Sequence, residues 1–230
     1  MHAAFRRTKF AAPHWKCIAI LSPNMPDHFK PSFTRKPKPA KVPNRIRIIG
    51  GAWRSRVIEF PDAIGLRPTA SRARETLFNW LGQTLHGKRC LDMFSGSGAL
   101  GFEAASRGAA EVVMVEINRA AVAALKSNQQ KLDATSCRVI AVDALNFLDK
   151  AQEKFDIVFV DPPFTSSLMA SVLKKCPAHL AGDGVVYAEW PAPIADVIAS
   201  LPDAQWEIVK QGKAGAVHFA LLRIPPVHPS

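Results

Sequence analysis

Long apolar segments and paired cysteines are both missing from this sequence of 230 residues. Its longest apolar runs, such as Ile157-Val158-Phe159-Val160, are far shorter than the roughly 20 residues that a membrane-spanning helix needs. The four cysteines form no C-x-x-C pair and have no histidine-rich neighbourhood, which argues for reduced thiols and against a zinc site. They are Cys17, Cys90, Cys137 and Cys176. These absences predict a cytoplasmic protein that binds no metal and no membrane.

Acidic residues are scarce in the first third of the chain. Residues 1–76 carry 16 Lys and Arg against 4 Asp and Glu, a net charge of +12, whereas residues 77–230 carry 14 against 15. A basic segment on a near-neutral body suits a protein that acts on a polyanion, because neutralising phosphates supplies much of the affinity. A solvated basic tail would have the same composition, so charge alone leaves both interpretations open.

Proline content and apolar periodicity divide the chain into three segments. Residues 1–43 form a basic, proline-rich arm that we expect to be disordered in the unbound protein. Residues 44–85 predict a small β-hairpin followed by a helix, and residues 86–230 predict the main domain. The expected hairpin strands are Arg45–Ile48 and Arg56–Phe60, and the expected helix covers about 70–85 with Thr69 as its N-cap.

Strands and helices alternate in the main domain, which predicts a parallel sheet covered on both faces. The expected strands are Cys90–Phe94, Val112–Glu116, Arg138–Val142, Phe155–Val160 and Val185–Glu189, with helices centred near 103, 123, 147, 172 and 197. Two further strands, Trp206–Lys210 and Val217–Ile224, leave no room for a crossover helix and therefore predict an antiparallel hairpin. A seven-stranded α/β sheet that ends in this way is the Rossmann-like arrangement of class I methyltransferases, and it differs from a dinucleotide-binding domain.

A glycine-rich loop lies where the first strand of the main domain turns into a helix. In the segment Asp92-Met93-Phe94-Ser95-Gly96-Ser97-Gly98, the glycines let a ligand approach the backbone, and the helix N-terminus offers N–H groups. The run Gly96–Gly101 also fits G-x-G-x-x-G, and Glu116 follows Gly96 by 20 residues, as an NAD-binding fingerprint requires. The loop by itself therefore leaves NAD and S-adenosylmethionine as alternatives.

Two further acids favour S-adenosylmethionine over NAD. Asp92 would repel a pyrophosphate but attract the cationic amino-acid moiety of S-adenosylmethionine, and Asp143 follows the third strand, where it suits an adenine amino group. With Glu116, these residues place three acids around a cofactor that is cationic and lacks phosphate. The expected cofactor-binding residues are Asp92, Phe94, Gly96, Ser97, Gly98, Glu116, Ile117, Asp143 and Ala144.

The tetrapeptide Asp161-Pro162-Pro163-Phe164 directly follows the buried-type strand 155–160. An exocyclic amine on a nucleobase is a poor nucleophile because its lone pair is delocalised into the ring. The carboxylate of Asp161 and the carbonyl of Pro162 could accept its two hydrogens and favour pyramidal nitrogen, while Phe164 offers a ring on which an extruded base can stack. The two prolines would stiffen the loop. This segment predicts methyl transfer to a base amine.

The chain resembles the RsmD-type 16S rRNA (guanine-N2)-methyltransferases of bacteria from about Arg45 to Ile224. The most restrictive motifs are Arg47-Ile48-Ile49-Gly50-Gly51, Leu66-Arg67-Pro68-Thr69 and Arg72-x-Arg74-Glu75-Thr76-Leu77-Phe78-Asn79-Trp80-Leu81, together with the glycine-rich loop and the tetrapeptide. The long basic arm departs from the family pattern, as does Asn118, where the family more often has an acid.

The resemblance implies methylation of a guanine N2 in small-subunit rRNA, within an assembled or assembling 30S particle, by a monomeric enzyme. It also implies that residues 67–81, including Thr69, cover the cofactor and that the hairpin meets RNA. The expected RNA-binding residues are Arg47, Trp53, Arg54, Arg56, Arg67, Arg72 and Arg74. Any one of these arginines could equally be an exposed charge, and Trp53 could simply brace the hairpin.

Three alternatives remain open at this stage. The first keeps the chemistry but moves it to adenine N6 in RNA or DNA, which the tetrapeptide permits; the chain leaves little room for a separate DNA-recognition domain. The second is an NAD-dependent oxidoreductase, which Asp92 disfavours. The third is a non-catalytic RNA-binding assembly factor, which would have no need to retain Asp161.

Overall fold

The computed structural model describes residues 43–61, 71–164, 167–201 and 206–226. All of them belong to one compact unit, residues 41–230. The strands are β1 (Asn44–Arg47), β2 (Val57–Phe60), β3 (Arg89–Asp92), β4 (Glu111–Glu116), β5 (Cys137–Ala141), β6 (Phe155–Val160), β7 (Leu180–Trp190), β8 (Glu207–Ala214) and β9 (Val217–Arg223). The α-helices are α1 (Ser71–Leu81), α2 (Ala99–Ser106), α3 (Arg119–Leu132), α4 (Ala144–Lys150), α5 (Leu168–Lys175) and α6 (Ile194–Ala199).

Seven of the strands form one sheet in the order β5-β4-β3-β6-β7-β9-β8. The first five are parallel, and β9 lies antiparallel between β7 and β8. After β7 the chain first forms β8 at the edge of the sheet and then returns to form β9 between β7 and β8. The last two strands therefore lie in the reverse of their order in the sequence. This arrangement confirms the expected methyltransferase fold class. It also differs from the all-parallel sheet of a dinucleotide-binding domain.

Each face of the sheet carries its own hydrophobic core, because side chains alternate along the strands. Along β6, Ile157 and Phe159 belong to the core formed with α1, α2, α3 and the hairpin. Val158 and Val160 belong to the core formed with α4, α5 and α6. The near-continuous apolar sequence of β6 is therefore the consequence of burial on both sides.

The β1–β2 hairpin packs on helices α2 and α3 through buried polar contacts. The carboxylate of Glu103 accepts hydrogen bonds from the backbone N–H groups of Ile49 and Gly50, both at 2.8 Å, and pairs with the guanidinium of Arg107 at 2.9 Å. Glu103 is buried completely, so these partners offset the cost of removing its charge from water. The side chain of Asn128 in α3 both donates to and accepts from the backbone of Glu59 in β2. These bonds fix the hairpin against the main domain.

The element bounds differ from those expected at several ends. Helix α1 ends at Leu81 instead of 85, and Thr69, its expected N-cap, lies outside the described residues. Strand β7 extends to residues 180–190 because its pairing with both neighbours continues beyond the apolar run. Strand β8 includes Gly212, where the ring of Phe219 fills the space that a Cβ would occupy; Gly215, at φ 62°, lies in the turn. No helix among the described residues is long and apolar enough to cross a membrane.

Candidate active site

Four of the expected site segments meet at the carboxyl edge of the parallel strands. Asp92 ends β3, Glu116 ends β4, and Asp161 follows β6. The register pairs Asp92 with Phe159, two residues before Asp161, and pairs Glu116 with Ala141, two residues before Asp143. The sheet therefore brings together residues that are up to 69 positions apart in the sequence, as the motif analysis predicted.

The glycine-rich loop is held by side chains from its neighbours. Gly96 donates its N–H to the carboxylate of Glu116 at 2.8 Å. Gly98 lies at φ 81°, and a Cβ there would come within 2.6 Å of the ring of Phe102. Both the left-handed backbone and the close approach require glycine at this position. The loop thus leads directly into α2, with Gly98 as the N-cap residue of the helix.

The residues after β4 combine a carboxylate with an exposed apolar side chain. Glu116 also accepts the backbone N–H of Asn118 at 2.7 Å, so both of its oxygens have backbone partners. The side chain of Ile117 is 68% exposed, which is unusual for isoleucine and suits a flat apolar ligand. Asn118 caps α3 by accepting from the N–H groups of Ala120 and Ala121. The departure from the family at position 118 therefore has a structural use, since asparagine caps as well as an acid does.

Asp143 performs a capping role that the sequence analysis did not assign to it. Its carboxylate accepts the N–H of Asn146 at 3.0 Å and begins α4, whose first residue is Ala144. This contact uses one carboxylate oxygen. Contact between Asp143 and an adenine amino group stays a prediction.

Asp92 lies beneath the glycine-rich loop and is only 3% exposed. Its carboxylate accepts the N–H of Gly101 at 3.0 Å. Burial, helped by the nearby charges of Asp161 and Glu116, raises the pKa of Asp92 to about 7 against the lowering effect of that hydrogen bond. Three carboxylates are thus close enough to repel one another, and a cation placed among them would relieve the repulsion.

We expect the affinity for S-adenosylmethionine to rise about tenfold between pH 6 and pH 8, because its positive charge favours the ionised form of Asp92. With its pKa near 7, the free carboxyl is mostly protonated at pH 6 and must lose a proton on binding, whereas at pH 8 it is already ionised. Calorimetry across this range measures the effect. Asp92→Asn keeps an acceptor for Gly101 and does not titrate, so an unchanged pH dependence in that variant would contradict the assignment.

The tetrapeptide after β6 is only partly accessible. Pro162 is buried, Asp161 and Phe164 are half-buried, and Pro163 is exposed. The rings of Phe164 and Trp190 meet edge to face, with their centroids 5.9 Å apart. This contact ties the tetrapeptide to the end of β7 and orients the ring that was expected to stack on a base.

The sequence analysis missed a buried polar pair beside the tetrapeptide. Tyr187 donates its hydroxyl hydrogen to the carboxylate of Glu189 at 2.6 Å, and both side chains are buried in β7. The signal was present in the sequence, because Val185-Val186-Tyr187-Ala188-Glu189 places an acid on the core-facing side of an apolar strand. A charged residue at such a position is rarely accidental.

The expected RNA-binding residues have different environments. Arg47, Arg54, Arg56 and Arg72 are all exposed; Arg47 donates to the carbonyl of Ser55 and Arg56 donates to the carbonyl of Lys131. Trp53 is half-buried and packs against the core, which favours its bracing role. Arg74 is buried at 2% exposure, and Arg67, like Thr69, lies outside the described residues.

A cavity of about 570 Å³ lies between the hairpin and α1. Four arginines line it, Arg45, Arg47, Arg54 and Arg74, against a single acid, Glu75. Within the described chain, Nε and Nη1 of Arg74 are buried without a hydrogen-bond partner, while Nη2 donates to the carbonyl of Arg47. Burial lowers the pKa of Arg74. An anion in this cavity would satisfy the unpaired donors.

We expect Glu116→Ala to weaken cofactor binding at least tenfold. The variant would lose the ribose hydrogen bonds that the sequence analysis expects, each worth about 1.5–3 kcal/mol with a charged acceptor, and it also releases the N–H of Gly96. Isothermal calorimetry checks this. Glu111→Ala is the matched control, since Glu111 begins the same strand and forms half-exposed ion pairs with Arg89 and Arg138. Equal affinities for the Glu116 variant and wild type, or measurable NAD binding, would contradict the assignment.

Known proteins are similar to this chain in sequence and in fold. A family model described as conserved hypothetical protein 95 matches residues 46–223. Ribosomal RNA small subunit methyltransferase D of Escherichia coli K12 is 41% identical over 179 residues, covering 77% of this chain and 89% of that protein. The solved structure of methyltransferase yhhF from Escherichia coli is similar with a TM-score of 0.70 and 38% identity, covering 79% of this chain and 98% of the other.

The protein SMU.776, a methyltransferase crystallised with S-adenosylhomocysteine, has the same fold with a TM-score of 0.62 and 16% identity, over 81% of this chain and 57% of the other. The glycine-rich loop, the clustered acids and exposed Ile117 fit S-adenosylmethionine, which is the cofactor. Among the described residues, no three His, Cys, Asp or Glu side chains are placed to hold a metal ion. The chain belongs to the family of S-adenosylmethionine-dependent methyltransferases that includes ribosomal RNA small subunit methyltransferase D of Escherichia coli.

Proposed function

We propose that this enzyme methylates the exocyclic N2 amine of one guanine in 16S rRNA. The observation that carries the proposal is the placement of Asp161-Pro162-Pro163-Phe164 beside the glycine-rich loop, at adjacent strand ends of the sheet. The Escherichia coli relative is named for small-subunit ribosomal RNA and covers most of this chain. We further propose that it acts as a monomer, in the cytoplasm, on an assembled or assembling 30S particle.

The residues of the tetrapeptide would hold and activate the amine. The carboxylate of Asp161 accepts one amine hydrogen and the carbonyl of Pro162 accepts the other, so that the nitrogen lone pair points out of the base plane. The bound cofactor supplies a methyl group made electrophilic by its sulfonium. Asp161 is also placed to take up the proton that the methylated amine releases. Phe164 stacks on the base, and its contact with Trp190 limits its motion.

The structure places most of the expected cofactor-binding residues in or beside the glycine-rich loop. Gly96, Ser97 and Gly98 form the loop, Phe94 precedes it half-buried, and Glu116 and Ile117 lie beside it with a carboxylate and an exposed apolar side chain. We propose that Glu116 binds the ribose, that Ile117 packs against the adenine, and that Asp92 acts on the amino-acid moiety through its charge. The backbone of Ala144 would border the adenine.

The basic side of the molecule supplies an RNA-docking surface, for which Arg54 and Arg72 are the best candidates, because Arg47 and Arg56, although also exposed, donate to backbone carbonyls of the protein. Arg56 has a structural partner in α3, and Arg45 pairs with Glu59 at 2.9 Å, so neither is free to follow a phosphate without losing a contact. Arg74 differs from both. A buried guanidinium whose Nε and Nη1 have no hydrogen-bond partner among the described residues, and which lines an arginine-rich cavity, suits one phosphate of the RNA backbone.

The decisive experiment supplies labelled S-adenosylmethionine and the purified enzyme to 30S particles from a strain that lacks the gene, and then maps the modified nucleotide. We expect one methyl group per particle, on guanine N2. Label at adenine N6 in RNA or DNA would support the first alternative. Binding to particles without any transfer would support a non-catalytic assembly factor.

A further inference from the structure

A buried arginine in α1 has hydrogen-bond donors that the fold does not use. Arg74 is 2% exposed, and its Nη2 donates to the backbone carbonyl of Arg47 at 2.9 Å, but its Nε and Nη1 have no partner within the described structure. Burial lowers the pKa of Arg74, and the charges of Glu103 and Glu75 oppose this effect only in part. Because a buried charge with unpaired donors destabilises a fold, stability alone does not explain this arginine.

Arg74 forms part of the wall of the cavity between the hairpin and α1. The charged residues of the described chain that line this cavity of about 570 Å³ are Arg45, Arg47, Arg54, Arg74 and Glu75. Arg45 is already paired with Glu59, so the remaining three arginines outnumber the acid by two. Arg47, Arg54 and Glu75 are exposed, so the cavity is open to solvent. A ligand that enters it is therefore an anion, and there it meets the guanidinium of Arg74.

A second cavity adjoins the first and is close to neutral. It has a volume of about 520 Å³, and Ile49, Arg54 and Glu75 line both cavities. Its other lining residues in the described chain are Gly50, Gly51, Asn79, Gln83 and Arg107. The charge of Arg107 is balanced by Glu103, with which it pairs at 2.9 Å. The two cavities therefore form one groove between the hairpin and α1, basic in its first part and polar but nearly uncharged in its second.

We propose that a single-stranded segment of the RNA substrate lies in this groove, with one backbone phosphate against Arg74 and the adjoining nucleoside in the second cavity. The inference rests on the proposed rRNA activity and deepens it, because it assigns the strand conformation that binds away from the tetrapeptide. Cavities of roughly 300–1,000 Å³ enclose molecules of drug size, which is the size of a nucleotide and not of a duplex. A basic groove that follows the backbone is also the usual way in which proteins bind a single strand.

The full-length protein can be tested with two probes, inorganic phosphate and a single-stranded RNA of about six nucleotides. For wild type we expect the oligonucleotide to bind at least about tenfold more tightly than phosphate, since the nucleoside adds contacts in the second cavity. It should also bind more tightly than a duplex that contains the same strand. Equal affinities for the oligonucleotide and phosphate would make the groove a small-anion site, and a preference for the duplex would place paired RNA on the protein. Either result would overturn the proposal.

The variant Arg74→Met separates binding from stability, because it replaces the buried charge with an apolar side chain of similar length. We expect it to lower the affinity for the oligonucleotide at least about tenfold and to flatten the plot of log affinity against log salt by about 0.7. The melting temperature without RNA should stay the same or rise. A lower melting temperature together with wild-type affinity would show that Arg74 is purely structural, and the proposal would fail.

Two further variants leave every buried residue in place. Glu75→Gln removes the acid from the groove and should raise the affinity for the oligonucleotide about threefold, whereas Asp183→Asn, an exposed acid in β7, is the matched control and should not. Asn79→Phe fills the second cavity without a change in charge. It should weaken the oligonucleotide at least about fivefold but leave phosphate binding, measured by calorimetry, unchanged.

Wild-type affinity for the oligonucleotide in both of these variants would overturn the proposal even if Arg74→Met did not fold. The proposed function is tested separately, on 30S particles. Methylation mapped to another atom would refute that function, whereas guanine-N2 methylation without these effects on binding would refute only the role of the groove.

Discussion

Replacing Asp161 with alanine is expected to lower turnover at least about 100-fold while leaving the cofactor affinity nearly unchanged. The contact between its carboxylate and the amine strengthens as the nitrogen becomes pyramidal, so its loss acts on the transition state more than on binding. The reduced negative charge near Asp92 also makes ionisation of that residue easier, which should keep cofactor binding intact. Single-turnover kinetics with saturating cofactor and particles measure the effect.

Two variants sharpen this prediction. Asp161→Asn retains an oxygen that accepts one amine hydrogen and should keep more activity than the alanine variant. Asp156→Asn is the matched control, because Asp156 lies at the opposite end of β6, where it accepts the N–H of Arg89 at 2.8 Å and pairs with Lys88. Wild-type turnover in the Asp161→Ala enzyme would rule out the mechanism, and a similar loss in the Asp156 variant would point to a general effect on folding.

Reversing the charges of Arg54 and Arg72 together is expected to weaken RNA binding at least about 100-fold at moderate salt. Both side chains are exposed, Arg54 in the hairpin turn and Arg72 in α1, and both belong to the first third of the chain, which carries the excess positive charge. Each lost phosphate contact should flatten the plot of log affinity against log salt by about 0.7–0.9. A salt titration of binding to an rRNA fragment measures both quantities, and calorimetry should find the cofactor affinity unchanged.

The control for this prediction carries the same change in charge on the other face of the sheet. Lys150 ends α4 and Lys174 lies in α5, and both helices pack in the core opposite the hairpin. The double variant Lys150→Glu, Lys174→Glu should keep the wild-type slope. If both double variants weakened binding equally, the effect would come from net charge alone. An unaltered slope in the arginine variant would mean that RNA docks elsewhere on the protein.

The order of elements and the chemistry at the strand ends could be predicted from sequence because they depend on local rules. Alternating strands and helices imply a parallel sheet, and residues that follow parallel strands must meet at one edge. For this reason Asp92, Glu116 and Asp161 were assigned to one site although none is adjacent to another in the chain. The glycine-rich loop could also be predicted from sequence, since Gly98 adopts a backbone conformation that other residues avoid.

Local rules did not reveal which charged side chains were already engaged by the fold. Arg56 and Arg74 looked like surface arginines in sequence, yet one bonds to the end of α3 and the other is buried. Glu103 reads as an ordinary residue of a helix, but it fastens the hairpin turn through two backbone bonds. These pairings join segments 50 or more residues apart, and no pattern within one segment encodes its partner.

By itself, the sequence determined the fold class, the positions of the glycine-rich loop and of the tetrapeptide at strand ends, and the separation of positive charge into the first third of the chain. Periodicity, glycine placement and charge are properties of single segments, so they can be recognised without knowing how the segments pack. The tertiary structure alone decided that Glu189 lies beside Asp161 and that Tyr187 holds it. It did so because register between strands depends on the packing of the whole sheet, which no local segment specifies.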